Sequence, residues 1–344
     1  MLGGESKKSG LGDVYMIKSI VTGGSGFIGS HVVTRLLCEG HKVTVLDNMT
    51  TGREQNLAHI SDANLEIIKA DIRNPDEIAG YFNDADYVYH LAALADIVPS
   101  IQNPRDYFSS NVDGTFNVLE CVKSKGIKKL VYAASSSCYG IPDSFPTCEN
   151  SEIRCEYPYA LTKRLGEELV MHWGKVYNIP VISLRLFNVY GTRSRTGGTY
   201  GAVFGVFLAQ KLAGKPYTIV GDGSQTRDFT YVTDVADAFF KASISDISGE
   251  IFNVGSGGTY SVNRLIELLG GEKTYIPKRP GEPDCTFADV SKINKRLGWS
   301  AKVTLEDGVA EMLENIDYWR EAPVWTSESI KDATKDWFKY LGKS

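Results

Sequence analysis

The sequence predicts an α/β fold, a doubly wound parallel β-sheet followed by a smaller mixed α/β domain at the C-terminal end. Three observations support this prediction. Short apolar segments typical of strands alternate with amphipathic segments of helical period along the first half of the chain. A glycine-rich turn joins the first strand to the first helix, and the second strand ends in an acidic residue. Such alternation with short connections is typical of parallel sheets covered by helices on both faces.

The glycine-rich turn lies in residues 20–30, which have the sequence IVTGGSGFIGS. Gly23 would let the chain turn sharply out of the strand, and Gly26 would let the backbone approach a pyrophosphate. Gly29 would let the helix pack closely on the strand. The N–H groups at the start of that helix would then face the phosphates. These features predict a Rossmann-type dinucleotide site.

The second predicted strand, residues 42–46, ends at Asp47, which lies 18 residues after Gly29. A carboxylate at about this spacing hydrogen-bonds the ribose hydroxyls of a bound dinucleotide. Its charge would repel a 2′-phosphate, so the predicted cofactor is NAD rather than NADP. The alternative is a glycine turn in an α/β protein that binds no nucleotide.

Further strands and helices continue the alternation. The predicted strands cover residues 65–70, 87–91, 129–134 and 181–186, and the predicted helices cover 111–124 and 158–177. Small residues follow the fourth strand in Leu91, Ala92 and Ala93. They would allow the close approach of a flat cofactor at the carboxyl edge of the sheet.

The regular alternation weakens after Asn188, where a helix at 203–213 and a strand at 217–220 indicate a second, smaller domain. Residues 235–242 and 251–254 still resemble pieces associated with the sheet, so we expect the two domains to be interleaved. The predicted divisions are a flexible leader at 1–15, with Met16 as a candidate natural start, an NAD-binding domain at 16–187 plus about 234–256, and a smaller substrate domain at 188–233 plus about 257–344.

Composition narrows the possible partners. A formal net charge of −5 argues against nucleic acid and against an anionic membrane surface. No apolar run approaches the roughly 20 residues that span a bilayer. The six cysteines are scattered without a CxxC pair, which indicates reduced thiols and a cytoplasmic location. The five histidines lack metal-ligand spacing, so we expect no metal.

Tyr159 and Lys163 form a Tyr-x-x-x-Lys pair on one face of the predicted helix at 158–177. An ammonium beside a phenol favours the phenolate and lowers a pKa that is ordinarily about 10. A tyrosine with a lowered pKa is a competent general acid–base group. Ser135, at the carboxyl end of the fifth strand, would share the reacting proton; the alternative is a polar loop without catalytic function.

These segments together resemble the extended short-chain dehydrogenase/reductase family and, within it, the nucleotide-sugar epimerases and dehydratases. The resemblance covers Met16 to about Met312 and rests on TGGSGFIGSH, LAA at 91–93, AASSSCYG at 133–140, YALTK at 159–163, RLFNVYG at 185–191, GDGSQTRDFTYVTDVADA at 221–238 and RPGEPDCTFADVSKINKRLGW at 279–299. It implies catalysis by Tyr159, Lys163 and Ser135. The NAD-binding residues that it implies are Gly23, Gly26, Phe27, Ile28, Gly29, Asp47, Asn48, Asp71, Ile72, Leu91, Ala92, Ala93, Asn111, Tyr159 and Lys163.

The resemblance also implies oxidation of a nucleotide sugar at C4. At the positions of Ser136 and Ser137, 4,6-dehydratases of this family carry Asp-Glu, and UDP-glucuronate decarboxylases keep a Glu at the second position. A serine hydroxyl is a poor proton carrier at neutral pH, so 4-epimerisation of UDP-glucose or its N-acetyl form is favoured. A decarboxylase, a dehydratase, a C4 dehydrogenase and a non-catalytic NAD-sensing binding module stay open as alternatives.

Substrate contacts follow from the same resemblance. The substrate-binding residues implied are Ser135, Ser136 and Ser137 for the sugar, Asn188, Arg227 and Arg279 for the diphosphate, Glu282 for the ribose, Val220 for the base and Thr286 beside the sugar. Arg227 can alternatively form an ion pair with Asp228. Thr286 stands where some relatives carry a bulky Tyr, so we expect room for an N-acetyl group.

Three features complete the predictions. Asp96 places an acid in the loop that usually touches the sugar, where it is either solvated or in contact with a substrate hydroxyl or amine. By family analogy the helices at 104–124 and 158–177 would form a homodimer interface.

The aromatic tail from Tyr318 extends beyond the resemblance. In it we expect a helix that starts at Thr326 or Ser327 and ends near Leu341, with Ile330, Thr334, Trp337 and Leu341 on one stripe.

Overall fold

The structure is a computed structural model that describes residues 15–194 and 203–342. The predicted leader therefore lies outside the described residues except for Tyr15. The Tyr15 hydroxyl donates a hydrogen bond to Asp86 at 2.6 Å.

The described chain contains thirteen strands. They are β1 Lys18–Thr22, β2 Lys42–Asp47, β3 Leu65–Lys69, β4 Tyr87–His90, β5 Lys129–Ser135, β6 Val181–Leu186, β7 Val189–Tyr190, β8 Tyr217–Val220, β9 Thr226–Arg227, β10 Thr230–Tyr231, β11 Glu250–Val254, β12 Tyr260–Ser261 and β13 Lys273–Ile276.

The same residues form twelve α-helices. They are α1 Phe27–Cys38, α2 Pro75–Ile78, α3 Ile97–Gln102, α4 Pro104–Phe108, α5 Gly114–Val122, α6 Pro158–Tyr177, α7 Val203–Leu212, α8 Val232–Ile244, α9 Val262–Leu269, α10 Ser291–Leu297, α11 Leu305–Glu314 and α12 Ser327–Leu341. A π-helical turn at Ser109–Asp113 joins α4 to α5, and a 3₁₀ turn at Ser136–Tyr139 follows β5.

Seven strands form one parallel sheet in the order β11-β6-β5-β4-β1-β2-β3. This confirms the predicted Rossmann-like doubly wound fold. Every residue of β5 is buried, because helices cover both faces of such a sheet. The strand order reverses between β1 and β4, so their carboxyl ends open into the crevice where ligands of such sheets bind.

The two faces of the sheet carry separate hydrophobic cores. Val33 of α1 and Phe239 of α8 are fully buried in one core, and Leu119 of α5 and Val170 of α6 in the other. The second half of the chain adds three two-stranded sheets, β7 with β10, β8 with β13 and β9 with β12. They pack with α7, α9 and α11 around a third core.

The predicted domain division stays a prediction. β11 is the seventh strand of the large sheet, and α8 packs against α1. Ile293 and Trp299, which the prediction places in the second domain, are fully buried in the core that contains α1 and α8.

Candidate active site

The glycine-rich turn leaves β1 through Gly23, whose φ is +70°. A Cβ at Gly23 would lie 2.7 Å from the amide nitrogen of Ala92, and one at Gly29 only 2.1 Å from the Gly23 carbonyl oxygen. The turn therefore packs against both the exit of β4 and the first turn of α1. Gly26 is the N-cap of α1 and supplies no side-chain acceptor for Phe27 or the residues after it. Those N–H groups suit the phosphates of a dinucleotide.

Asp47 ends β2 beside this turn, as the spacing predicts. Its carboxylate accepts hydrogen bonds from the N–H groups of Ser25 at 3.0 Å and Met49 at 2.9 Å. Burial raises the pKa of Asp47, although both N–H groups act in the opposite direction. A Cβ at Gly52 would lie 2.6 Å from the Asp47 carboxylate, so the following loop approaches closely only because it carries glycine here.

The residues implied for adenine continue along the same edge of the sheet. Asn48 donates to Asp71 at 3.0 Å. Hydrogen bonding to Arg73 is the main reason that the pKa of Asp71 falls to about 2. Ile72 is buried, and a Cβ at Gly114 would lie 2.6 Å from its side chain. Asp47, Asn48 and Asp71 thus lie together at the carboxyl ends of β2 and β3.

Asn111, which the resemblance implies as a cofactor contact, is held in place by hydrogen bonds within the protein. Its side chain is 1% exposed, and it exchanges hydrogen bonds with both backbone groups of Leu94, at 2.8 and 3.0 Å. It also donates to the Thr162 hydroxyl at 3.0 Å. Asn111 therefore positions the segment after Ala93 against α6. Sequence reasoning missed Thr162, although it lies within the YALTK motif.

The proposed reaction centre brings Ser135 and Tyr159 together. Ser135 ends β5 and Tyr159 lies in the first turn of α6, and the Ser135 hydroxyl lies near enough to the Tyr159 phenol to lower its pKa. The Ser135 hydroxyl also donates to that of Ser137 at 2.9 Å. Ser137 in turn is hydrogen-bonded to Tyr157, which sequence reasoning missed. Ser136 is partly exposed in the turn between them.

The protonation of this centre differs from the expectation. Burial raises the pKa of Tyr159 above its ordinary value of 10.0, more than the hydrogen bond from Ser135 lowers it. Burial also lowers the pKa of Lys163 to about 7. The Lys163 ammonium nitrogen lies 4.3 Å from the centre of the Tyr132 ring. The pKa of Tyr159 therefore lies above its ordinary value and not below it as expected, because burial disfavours the phenolate and the nearby charge of Asp96 raises the pKa further.

A buried ion pair supports α6 one turn beyond Lys163. The carboxylate of Glu167 accepts from Arg185 of β6 at 2.7 Å, and their side chains are 1% and 2% exposed. Glu167 also accepts from Ser183 at 2.9 Å. Arg185 in turn donates to the Tyr139 hydroxyl at 2.7 Å. Sequence reasoning missed this network; its signal was an acid four residues after Lys163, on the same helical face.

The residues implied for the nucleotide diphosphate meet at Glu282. This carboxylate lies 2.8 Å from the guanidinium of Arg227 and 3.7 Å from that of Arg279. Arg227 thus pairs with Glu282, whereas Asp228 accepts from Ser256 and Ala288. A cleft of about 410 Å³ is lined by side chains that include Val220, Arg227 and Glu282.

Asn188 and Thr286 also meet, 98 positions apart in the chain. The Thr286 hydroxyl donates to the Asn188 side-chain oxygen at 2.6 Å. Asn188 has a φ of +26° and is exposed. Thr286 therefore orients the Asn188 amide.

Asp96 lies close enough to the reaction centre for its charge to raise the pKa of Tyr159. It is the N-cap residue of α3, without a side-chain capping bond, and its backbone N–H donates to the Tyr107 hydroxyl at 3.1 Å. The Tyr107 and Tyr159 rings lie edge to face, 6.4 Å apart. The structure therefore places an acid near Tyr159.

The described residues also bear on two other features, a metal site and a membrane-spanning helix. Within residues 15–194 and 203–342, no cluster of three or more His, Cys, Asp or Glu residues has the arrangement to hold a metal ion. No helix in these same ranges has the length and apolar character to cross a membrane.

The parallel sheet and its glycine-rich turn are typical of an enzyme that binds a dinucleotide. The chain belongs to the NAD dependent epimerase/dehydratase family, whose model matches residues 19–255. The cofactor is NAD. The glycine turn, which a Cβ would fill, and Asp47 fit that cofactor.

Known relatives extend over most of the chain. A putative UDP-glucose 4-epimerase of Methanocaldococcus jannaschii is 37% identical over 302 residues, which is 86% of this chain and 96% of that protein. UDP-glucuronic acid decarboxylase 2 of Arabidopsis thaliana is 33% identical over 87% of this chain and 68% of its own. The structure of UDP-glucuronic acid 4-epimerase from Bacillus cereus, in complex with UDP-glucuronic acid and NAD, superposes with a TM-score of 0.81. It is 32% identical and covers 89% of this chain and 99% of its own.

Proposed function

We propose that this protein is an NAD-dependent 4-epimerase of a UDP-hexose. The observation that carries the proposal is the hydroxyl pair formed by Ser135 and Tyr159 at the carboxyl end of β5. A sugar C4 hydroxyl bound there can pass its proton to Tyr159 while Ser135 holds the shared hydrogen bond. NAD, when bound, accepts the hydride from C4 and returns it to the opposite face of the 4-keto sugar.

Tyr159 and Lys163 would hold the reacting proton as a pair. Burial favours the neutral phenol and the neutral amine, as the directions of both pKa shifts indicate. Moving one proton from Tyr159 to Lys163 gives phenolate and ammonium without changing the net charge of the site. The two groups would thus share one proton, so substrate binding needs to shift only the position of that proton.

The same site provides little for elimination or decarboxylation. Ser136 and Ser137 stand where dehydratase relatives carry an acid and a base, and Ser137 is hydrogen-bonded to Tyr157. A serine hydroxyl cannot replace a carboxylate as a proton carrier near pH 7. Epimerisation needs no third acid–base group, because it reverses the first step after the sugar turns over.

The test is incubation of the purified holoenzyme with UDP-glucose, UDP-N-acetylglucosamine and UDP-glucuronate, with separation of products by anion-exchange chromatography. Formation of the C4 epimer is expected. Released CO₂ would indicate a decarboxylase, a 4-keto-6-deoxy sugar a dehydratase, accumulated NADH a dehydrogenase, and absence of turnover a binding module. Any of these four results in place of an epimer contradicts the proposal.

Tyr159→Phe removes only the hydroxyl that would move the proton. We expect it to lower kcat by about 10²- to 10⁴-fold, the usual contribution of a general acid–base group. NAD content and UDP affinity should stay within a factor of two. The matched control is Tyr157→Phe, which removes a neighbouring hydroxyl from the same helix end and should reduce kcat far less. Undiminished turnover in Tyr159→Phe would exclude this mechanism.

N-acetyl sugars are included among the proposed substrates. Thr286 is smaller than the Tyr of some relatives, and its bond to Asn188 leaves the Asn188 amide nitrogen as the donor side of that group. An N-acetyl carbonyl is an acceptor, so an amide donor beside it would favour binding.

We further propose a homodimer in the cytoplasm. Large apolar side chains lie exposed on α5 and α6, and a second copy of this chain would cover them: Phe116, Leu161, Val176 and Tyr177, at 40–51% exposure. Such a patch is typical of an interface. Sedimentation velocity measures the mass directly. All six cysteines are unpaired, as expected in a reducing compartment.

A further inference from the structure

The C-terminal helix α12 is well specified by its own sequence. Thr326 caps it and forms a reciprocal capping box with Ser329, with bonds of 3.2 and 2.9 Å. Ile330, Thr334 and Trp337 are buried on one side, at 2%, 2% and 5% exposure, as the predicted stripe requires. The helix is therefore held in one rotational setting about its axis.

This helix bridges two segments that border the proposed substrate site. Gln102, at the end of α3, donates to Asp336 at 2.8 Å. On the other side, the Trp337 indole N–H donates to the Pro280 carbonyl oxygen at 2.7 Å. α3 begins directly after Asp96, and Pro280 directly follows Arg279. α12 thus connects the loop after β4 to the loop that carries a diphosphate-binding candidate.

Trp337 also contacts Arg279 itself. The guanidinium carbon of Arg279 lies 5.3 Å from the centre of the indole ring, within the range of a cation–π interaction. The Arg279 side chain is only 11% exposed. The carboxylate of Glu282 lies 3.7 Å from the Arg279 guanidinium. The same carboxylate lies closer to the Arg227 guanidinium, at 2.8 Å. The indole ring therefore restrains the Arg279 guanidinium in addition to this acidic contact.

We propose that Trp337 is a positioning residue for nucleotide binding. It anchors the Arg279 backbone through Pro280 and stacks on the Arg279 guanidinium, so that this cation is already oriented when the diphosphate arrives. A preorganised arginine loses less rotamer entropy on binding a phosphate group than a mobile one. This inference rests on the proposed nucleotide-sugar site.

The test compares UDP affinity, measured by titration calorimetry, of the holoenzyme and its Trp337→Leu variant. We expect about tenfold weaker UDP binding, or about 1.4 kcal/mol, and a raised KM with kcat nearly unchanged. Trp337→Phe keeps a ring but loses the N–H donor, so about threefold is expected. Phe338→Leu is the matched control, because Phe338 is the next residue of α12 and is exposed. It should leave UDP affinity unchanged.

A double-mutant cycle separates positioning from general support of the fold. In an Arg279→Ala background, replacing Trp337 by Leu should change UDP affinity less than twofold, because no guanidinium is left to position. Equal losses in both backgrounds, or unchanged UDP affinity in a folded Trp337→Leu protein, overturn the proposal. If the Leu variant does not fold, the Phe variant is put through the same cycle with the same criterion.

The outcomes also separate this inference from the proposed reaction. An enzyme that binds UDP with the expected coupling but forms no epimer rejects the reaction and supports the role of Trp337. Epimerisation with no coupling between Trp337 and Arg279 rejects only the role of Trp337. A wild-type protein that binds neither UDP nor dTDP overturns both.

Discussion

Replacing Glu167 by Gln tests the buried ion pair under the reaction centre. The substitution keeps the size of the side chain and removes its charge, so Arg185 loses its counter-ion while 2% exposed. Two guanidinium nitrogens of Arg185 lie within 3.2 Å of the carboxylate, and Ser183 and Arg164 add further bonds. Most of these bonds would have to be rearranged around a neutral amide.

The expected loss of stability is large for one isosteric change. Removing one partner of a buried ion pair costs about 3–5 kcal/mol, because the other charge is left uncompensated. The unfolding free energy of a typical domain is only about 5–15 kcal/mol. Equilibrium urea denaturation followed by circular dichroism should therefore show a clearly lower midpoint for Glu167→Gln.

The pH dependence of this difference has a defined sign. Burial raises the pKa of Glu167, but the hydrogen bonds and charge of Arg185, together with Ser183 and Arg164, outweigh burial and lower the pKa below its ordinary value of 4.5. A carboxyl with a lowered folded-state pKa contributes stability that is present above 4.5 and is lost as the pH falls through the folded value. The unfolding free energies of the wild type and Glu167→Gln should thus differ most at pH 7, and the difference should disappear as the pH falls through the folded-state pKa of Glu167.

The same substitution should also alter catalysis. The charge of Glu167 raises the pKa of Lys163, against the burial that lowers it to about 7. Without that charge Lys163 loses its proton at lower pH. Because the proposed mechanism uses the neutral amine of Lys163 to accept the proton from Tyr159, the acid limb of the pH–kcat profile should move to lower pH in Glu167→Gln. A pH–rate profile measures this shift.

Glu168→Gln is the matched control, because Glu168 is the next residue of α6, pairs with Arg164 at 2.9 Å and is 54% exposed. An exposed pair of this kind is worth about 0–1 kcal/mol. The reasoning is refuted if Glu167→Gln costs no more stability than Glu168→Gln.

Two other substitutions test the remaining geometry. Gly29→Ala would place a Cβ 2.1 Å from the Gly23 carbonyl oxygen, so we expect this variant to lose most of its bound NAD. The amount of NAD released on denaturation measures this loss. Gly80→Ala is the control, because a Cβ at Gly80 would lie in open space, and it should retain NAD. Thr286→Tyr should lower kcat/KM for UDP-N-acetylglucosamine at least tenfold relative to UDP-glucose. Thr286→Val adds no bulk but removes the hydrogen bonds of the Thr286 hydroxyl with Asn188 and the Asp228 N–H, so it should lower the same ratio much less than Thr286→Tyr. An unchanged ratio in Thr286→Tyr would reject the steric argument.

Much of the fold and the catalytic pair could be predicted from the sequence because their signals are local. The glycine spacing around Gly26 and the four-residue interval from Tyr159 to Lys163 are patterns of residues that lie close together in the sequence. The parallel sheet follows from strand–helix alternation, since such strands require crossover connections. The short strands of the second half carry too few residues for a period to be recognised, and their pairing is decided by distant segments.

The sequence by itself determined the fold class, the cofactor and which residue types stand at the reaction centre. Only the tertiary structure decided the protonation of Tyr159 and the partners of Glu282, Thr286 and Trp337. The physical reason is that desolvation depends on everything packed around a group, and these contacts join residues 55 to 98 positions apart. No periodicity along the chain encodes a distance across the folded molecule.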